Sequence, residues 1–245
     1  MQTNLWFART AEAVLAFIYP AHCPICDRRL KSARGEKRLI CKDCARNLPL
    51  TGKHWCMKCG KPLTDPQREY CADCMRRKHV YERHRAALIY HGGVRKSLYR
   101  FKYANRRCYA GFYAELICAE LGAYMKSMRI TLLVPVPLSK KRALKRGYNQ
   151  AGILARQMGR ILGIPVAEDL LLRVGETLPM KGLSVKERIR NLEGAFCAAY
   201  AVDRRERILL IDDIYTTGAT MDAAAAALYR AGCTCVCAVS VAIGG

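Results

Sequence analysis

Residues 208–220 read ILLIDDIYTTGAT. Four apolar residues, Ile208 to Ile211, run into Asp212 and Asp213, and then into Thr216, Thr217, Gly218, Ala219 and Thr220. An unbroken apolar run of this kind suits a strand buried on both faces, as in a parallel sheet. Two like charges at its end cost stability unless a partner compensates them. Open α/β sheets place their ligands at that carboxyl end. The stretch continues into ATMDAAAAALYRAG (219–232), which reads as an alanine-rich helix. The unpaired N–H groups and dipole of a helix start, with the hydroxyls of Thr216, Thr217 and Thr220, form a cradle for a phosphate dianion. Gly218 lets the backbone approach such a group closely. Carboxylates suited to ribose hydroxyls or Mg²⁺, followed by a phosphate cradle, describe a ribose-5-phosphate site. A capped helix after an Asp-rich turn accounts for one Thr or one Asp, but not for all five polar residues in this order.

The rest of residues 81–245 alternates strand-like and helix-like runs, the pattern of βαβ units and a mostly parallel sheet. Strands are expected at 85–90, 131–139, 170–174, 207–214 and 234–244. Helices are expected at the basic GGVRKSLYRFKYA, at the amphipathic 109–128, at 149–163 and at 219–232. Residues 1–20 place Leu5, Trp6, Ala8, Ala11, Val14, Leu15 and Ile18 broadly on one helical face and read as a docking helix. Arg9 and Glu12 interrupt its apolar run, so a secretory signal is not expected, and no segment is long enough to span a bilayer.

Residues 21–80 differ in character. Eight of the fourteen cysteines fall there in C-x-x-C pairs: Cys23/Cys26, Cys41/Cys44, Cys56/Cys59 and Cys71/Cys74. Each pair can close a knuckle that aims two thiolates at one metal, and two knuckles complete a tetrahedral zinc site. Four pairs make two closed, structural Zn²⁺ sites. The simplest assignment is sequential, with the first two pairs on one zinc and the last two on the other, and an interleaved pairing also satisfies the spacing. Gly60 stands where such a knuckle needs positive φ, whereas CPIC at 23–26 is followed by Asp27. Disulfides are the competing reading. The remaining cysteines, scattered through apolar sequence, favour a reducing cytosol instead.

The chain carries 42 Lys+Arg against 20 Asp+Glu, a formal +22. Two Cys₄–Zn²⁺ units lower this by roughly 4. The excess favours polyanionic partners. The stretch YHGGVRKSLYRFKYANRRCY (90–109) interleaves Arg95, Lys96, Arg100, Lys102, Arg106 and Arg107 with Tyr99, Phe101, Tyr103 and Tyr109. Cations for a backbone and aromatic faces for bases suit single-stranded nucleic acid. KKRALKRGYNQ (140–150), with Lys145 and Arg146, supplies a second patch. The competing reading puts the aromatics in the core and the charges on a solvated helix face.

The stretch LLIDDIYTTGAT resembles the phosphoribosyl-diphosphate (PRPP) motif of type I phosphoribosyltransferases. The resemblance implies that Asp212 and Asp213 hold the ribose hydroxyls, directly or through Mg²⁺, and act as the catalytic pair. It gives the 5′-phosphate to Thr216, Thr217, Gly218, Ala219 and Thr220. VPVPLSKKR (134–142) matches the pyrophosphate loop, which assigns Pro137, Leu138, Ser139, Lys140, Lys141 and Arg142 to that role. Tandem knuckles, then VPVPLSKKRALKRGYNQA, then KERIRNLEGAF (186–196), then the PRPP motif, resemble the ComF family over nearly the whole chain. That resemblance implies a type I phosphoribosyltransferase-like α/β domain over 81–245, preceded by a double zinc ribbon over 21–80. It implies a cytoplasmic protein of DNA uptake in natural transformation. Its partners would be single-stranded DNA, PRPP or a related sugar phosphate, and other DNA-uptake proteins. The alternative is an active phosphoribosyltransferase of nucleotide or related metabolism. Arg188, Asn191 and Phe196 are read either as a loop over the site or as a plain surface loop.

Overall fold

A computed structural model describes residues 21–30, 38–174, 187, 192 and 194–244. The helix expected over 1–20 lies outside these residues, as do Arg188 and Asn191. The chain divides into two compact units, 1–48 and 49–245. The first holds the knuckle of Cys23 and Cys26 and a short helix α1 (Lys42–Arg46), which starts at Cys41. The second holds both later cysteine pairs together with the sheet, so residues 49–80 belong to the same unit as the α/β body.

The elements of the second unit follow in this order. A short helix α2 (Ala72–Arg76) begins at Cys71. Then come β1 (His84–Ile89), α3 (Gly92–Tyr103), α4 (Tyr109–Ser127), β2 (Leu132–Pro135), α5 (Lys140–Arg146) and α6 (Gln150–Leu162). β3 (Leu171–Arg173), β4 (Phe196–Ala198), β5 (Arg207–Tyr215), α7 (Ala219–Arg230) and β6 (Cys235–Ile243) complete it. The main sheet has the order β1-β6-β5-β2 and is parallel throughout. This is the α/β architecture the sequence pattern implies. β6 is buried at every position, and Ile208 to Ile211 of β5 are fully buried, which is why both are apolar runs rather than alternating ones.

Two local expectations change. Residues 140–146 form a helix rather than an open loop. Ser139 is its N-terminal boundary residue, and Gly147, at φ +70°, ends it. Residues 170–174 do not join the main sheet. β3 pairs antiparallel with β4, a strand not expected from the sequence, and the two-stranded ribbon packs on α7.

Helices cover both faces. On α4 the buried residues Tyr113, Ile117, Leu121 and Met125 recur every four residues, one stripe of a helix. α4 packs on α6 and β1, and α6 lies on β2 and β5. α7 presents Ala224, Ala225, Ala227 and Leu228 as its buried residues on the other side. The β1 edge is capped by the cysteine segment. His84 N–H donates to Lys58 O at 2.8 Å, and Thr51 N–H donates to Ala87 O at 3.2 Å. Gly60 is pressed onto this edge, where an added Cβ would lie 2.8 Å from His84 O. No helix among the described residues is long and apolar enough to cross a membrane.

Candidate functional site

The cysteines group sequentially. Cys23, Cys26, Cys41 and Cys44 converge, as do Cys56, Cys59, Cys71 and Cys74, with the sulfurs of each set within 4.8 Å of one another. Cys26 Sγ and Cys41 Sγ are 3.8 Å apart, and Cys59 Sγ and Cys71 Sγ 3.6 Å. Tetrahedral zinc with Zn–S near 2.3 Å needs S···S edges of about 3.8 Å. A disulfide would need about 2.05 Å. Two structural zinc sites therefore fit, and no disulfide forms among the described residues. The knuckle turns are alike. Gly60 N–H donates to Cys56 O and Asp27 N–H to Cys23 O, both at 2.8 Å. Asp27 adopts φ +62° where the Cys56/Cys59 knuckle uses Gly60 at +73°. Aspartate tolerates that region better than most residues, so the departure noted in the sequence leaves the turn intact.

Asp212 and Asp213 stand at the carboxyl end of β5, and the loop 216–218 leads into α7. Asp212, Tyr215, Thr216, Thr217, Gly218, Ala219 and Thr220 line one cavity of about 40 Å³. Asp212 and the expected phosphate cradle are thus brought together, whereas Asp213 does not line this cavity. Gly218 is at φ +79°, and an added Cβ would lie 2.5 Å from Tyr215 Oη and 2.8 Å from His79 Cε1. Alternation along β5 sends the paired carboxylates to different surroundings. Asp213 is buried and accepts from Lys102 Nζ at 2.8 Å. Asp212 is partly exposed, and its Oδ1 accepts the Asp213 N–H at 2.8 Å. Burial, and then the charge of Asp213, push the Asp212 carboxyl up to about 7, against the pull of Lys102 and Arg173.

That shift carries a prediction. A carboxyl raised in the fold favours the folded state most below its unfolded value, about 3.9. The contribution is lost as pH rises through about 7. Asp212→Asn is therefore expected to be progressively more stable than the parent as pH rises from 5 to 8. Thermal melts of both proteins across this range check it, and a constant difference would refute the raised value.

The expected pyrophosphate residues divide between a loop and a helix. Pro137, Leu138 and Ser139 follow β2, whose extension is tied to β5 by Val136 N–H to Ile211 O at 2.9 Å. Lys140, Lys141 and Arg142 open α5, with Lys140 and Lys141 exposed. Asn149 anchors α6 behind them, donating to Val136 O and capping Ala151 N–H, each at 3.1 Å. Arg173, at the end of β3, was missed in the sequence. It lies within electrostatic reach of both Asp212 and Arg142, and burial lowers its pKa. Its position at a strand's carboxyl end was the available signal.

The expected nucleic-acid residues separate too. Phe101 and Tyr109 are core, whereas Tyr99 and Tyr103 are 64% and 50% exposed, with ring centroids 5.0 Å apart. Arg95, Lys96, Arg107 and Lys145 are exposed, and Arg100, Arg106 and Arg146 half-buried. Arg146 lies over the Tyr103 ring at 4.8 Å and donates to its hydroxyl at 2.9 Å. Arg107 lies over Tyr148 at 4.4 Å, and the Tyr148 hydroxyl donates to Phe101 O. Lys102 turns away from this face to Asp213. Signal for that exists in the sequence: Lys102 follows Leu98 by four residues and so borders the buried Val94–Leu98–Phe101 stripe.

A family model described as a double zinc ribbon domain matches residues 14–75. Competence protein F of Haemophilus influenzae is 30% identical over 193 residues, 76% of this chain and 82% of that protein. Competence protein ComFC of Bacillus subtilis is 30% identical over 205 residues, 79% of each. DNA utilization protein YhgH of Escherichia coli K12 is 28% identical over 220 residues, 89% of this chain and 94% of that protein.

Proposed function

The chain belongs to the ComF family, and from that premise we propose that it serves DNA uptake and processing by binding a phosphoribosyl ligand and single-stranded DNA on adjoining surfaces. In this reading residues 21–80 act as a double zinc ribbon and 81–245 as a phosphoribosyltransferase-like domain, working in the cytoplasm beside other DNA-uptake proteins. The observation that carries it is the path along α3. Lys102 reaches Asp213 at 2.8 Å, while its neighbour Tyr103 belongs to the exposed cation–aromatic face with Arg146. The sugar-phosphate site and the strand-binding face thus share one helix.

PRPP fits the site by chemistry. Asp212 and Asp213 offer the carboxylate oxygens that Mg²⁺ takes along with phosphate oxygens, and a bound ion would offset part of the negative charge shared by the acid pair and the ligand's diphosphate. Thr216 to Thr220 would receive the 5′-phosphate at the start of α7. A second reading, active phosphoribosyl transfer, is favoured by one cluster. Arg142 and Arg173 lie in reach of each other and Arg173 in reach of Asp212, which suits charge on a departing diphosphate.

Calorimetric titration of the zinc-loaded chain with PRPP and Mg²⁺, beside Asp212→Asn/Asp213→Asn, tests the proposal. Binding to the parent and at least tenfold weaker binding to the variant is the expected result. A folded, zinc-loaded parent that binds no PRPP would overturn the sugar-phosphate reading.

A further inference from the structure

We propose that the second four-cysteine site is a positioning element of the phosphate loop, coupled to it through Arg77, His79 and Asp222. The inference rests on reading residues 216–220 as the phosphate cradle, and it names what holds that cradle in shape.

The chain leaves α2, which carries the ligand Cys74, directly into Arg77. Arg77 is anchored both to the loop and to the first turn of the helix that follows it. Its Nη1 donates to Thr217 O at 3.2 Å, and its Nη2 to Asp222 Oδ2 at 2.5 Å. A peptide unit is planar and trans, so its C=O and the following N–H point in opposite directions. Drawing the Thr217 carbonyl toward Arg77 therefore turns the Gly218 N–H away from Arg77, toward the loop's other side. Asp222 sits in the first turn of α7, where the helix dipole favours a carboxylate but where that carboxylate would repel an arriving phosphate. The Arg77 guanidinium offsets its charge. The remaining acceptor positions are occupied from the same segment: Val80 N–H donates to Oδ1 at 2.8 Å, and His79 Nδ1 lies 2.9 Å from Oδ2.

The segment also sets the loop from below. His79 is buried against Gly218 and stacks on Tyr81 at 4.9 Å. The Tyr81 hydroxyl meets the Tyr215 hydroxyl at 2.7 Å. From the other knuckle, Cys59 O accepts the Nδ1–H of His84 at 2.7 Å, and His84 stacks on Tyr215 at 4.1 Å. Both arms of the metal site therefore end on residues 215–222. A bound metal would join those arms at the site, where Lys61 Nζ to Asp73 Oδ2 at 2.9 Å and Met57 N–H to Glu69 O at 2.8 Å also link them. A metal site that stabilised the ribbon alone would touch none of these atoms.

The test uses the full chain and reads the loop without a ligand. Hydrogen exchange is followed by mass spectrometry over peptides spanning 214–222, with zinc content measured in parallel. In Arg77→Ala we expect two zinc ions per chain to be kept and exchange over 216–220 to rise at least tenfold. Arg77→Lys, which restores the charge but not the forked geometry, should recover only part of the protection. A graded chelator that empties the second site of the parent protein should deprotect 77–80 and 216–220 together, and this arm decides the matter if Arg77→Ala does not fold. Unchanged exchange over 216–220 in a folded Arg77→Ala, or protection of 216–220 that survives emptying of the second site, would overturn the proposal. PRPP titration is run separately on the same samples. A parent that binds no PRPP but shows the coupled exchange would sink the sugar-phosphate reading and leave the coupling standing.

Discussion

Gly218→Ala is expected to abolish PRPP binding, with at least a hundredfold loss of affinity, and to lower stability by about 1–3 kcal/mol. Two effects act together. The backbone at φ +79° is a region where an L-residue pays a steric penalty of roughly 1–2 kcal/mol. The new Cβ would also lie 2.5 Å from Tyr215 Oη, 3.0 Å from Tyr215 Cζ and 2.8 Å from His79 Cε1. Neither ring has room to retreat. The Tyr215 hydroxyl is bonded to that of Tyr81, its ring is stacked on His84, and His79 is stacked on Tyr81. The loop itself must therefore move, and with it the N–H groups that would receive the phosphate. Gly163→Ala separates the two effects. Gly163 also has positive φ, +68°, but nothing lies within 4 Å of its added Cβ. It should lose about 1 kcal/mol and bind PRPP as the parent does. Thermal melts and calorimetry on both variants check this. Parent-like PRPP affinity in Gly218→Ala would remove 216–220 from the phosphate site.

The contrast between these glycines shows what the sequence could and could not report. ILLIDDIYTTGAT disclosed its strand, acid pair, loop and helix because all are local: each residue's role follows from its neighbours along the chain. The knuckles were legible for the same reason, down to the position of Gly60 and its substitute Asp27. Which cysteine pairs share a metal was only half legible: spacing made the sequential pairing the simplest but also fitted an interleaved one, and the fold decides by bringing Cys23 and Cys26 to Cys41 and Cys44. The long-range partners were hidden altogether. Arg77 and Asp222 are separated by 145 positions, and nothing in RRKHVY (76–81) marks a guanidinium destined for Thr217 and Asp222. Basic composition misled in a different way. KKRALKR has no apolar stripe, and Leu144 is 87% exposed, so no periodicity announced a helix. In the stretch 90–109 a helical period did exist, and it explains why Phe101 is buried while Tyr99 and Tyr103 are not.

That exposed face leads to the second large effect. Single-stranded DNA is expected to bind it with an affinity that falls on the order of 10²–10³-fold between 50 and 200 mM salt, given about six phosphate contacts and a slope near −0.7 for each. The cations for those contacts are Arg95, Lys96, Arg106, Arg107, Lys145 and Arg146. Lys102 is left out because it is held by Asp213. Charge and stacking should separate cleanly in measurement. Removing Arg95, Lys96 and Lys145 should flatten the log–log salt slope by about 2, because each lost phosphate contact withholds its counterions. Tyr99→Ala/Tyr103→Ala should leave the slope nearly unchanged and cost about 1–3 kcal/mol for each unstacked base. Asp212→Asn/Asp213→Asn should leave the stacking cost unchanged and, by freeing Lys102 from Asp213 to add one phosphate contact, steepen the slope by about 0.7. Fluorescence anisotropy with a labelled oligonucleotide across a salt series measures all three. A tyrosine double variant that binds as tightly as the parent would show that the aromatic pair lies off the strand's path. A flat salt dependence in the parent would mean that the chain's +22 charge serves some purpose other than holding a phosphate backbone.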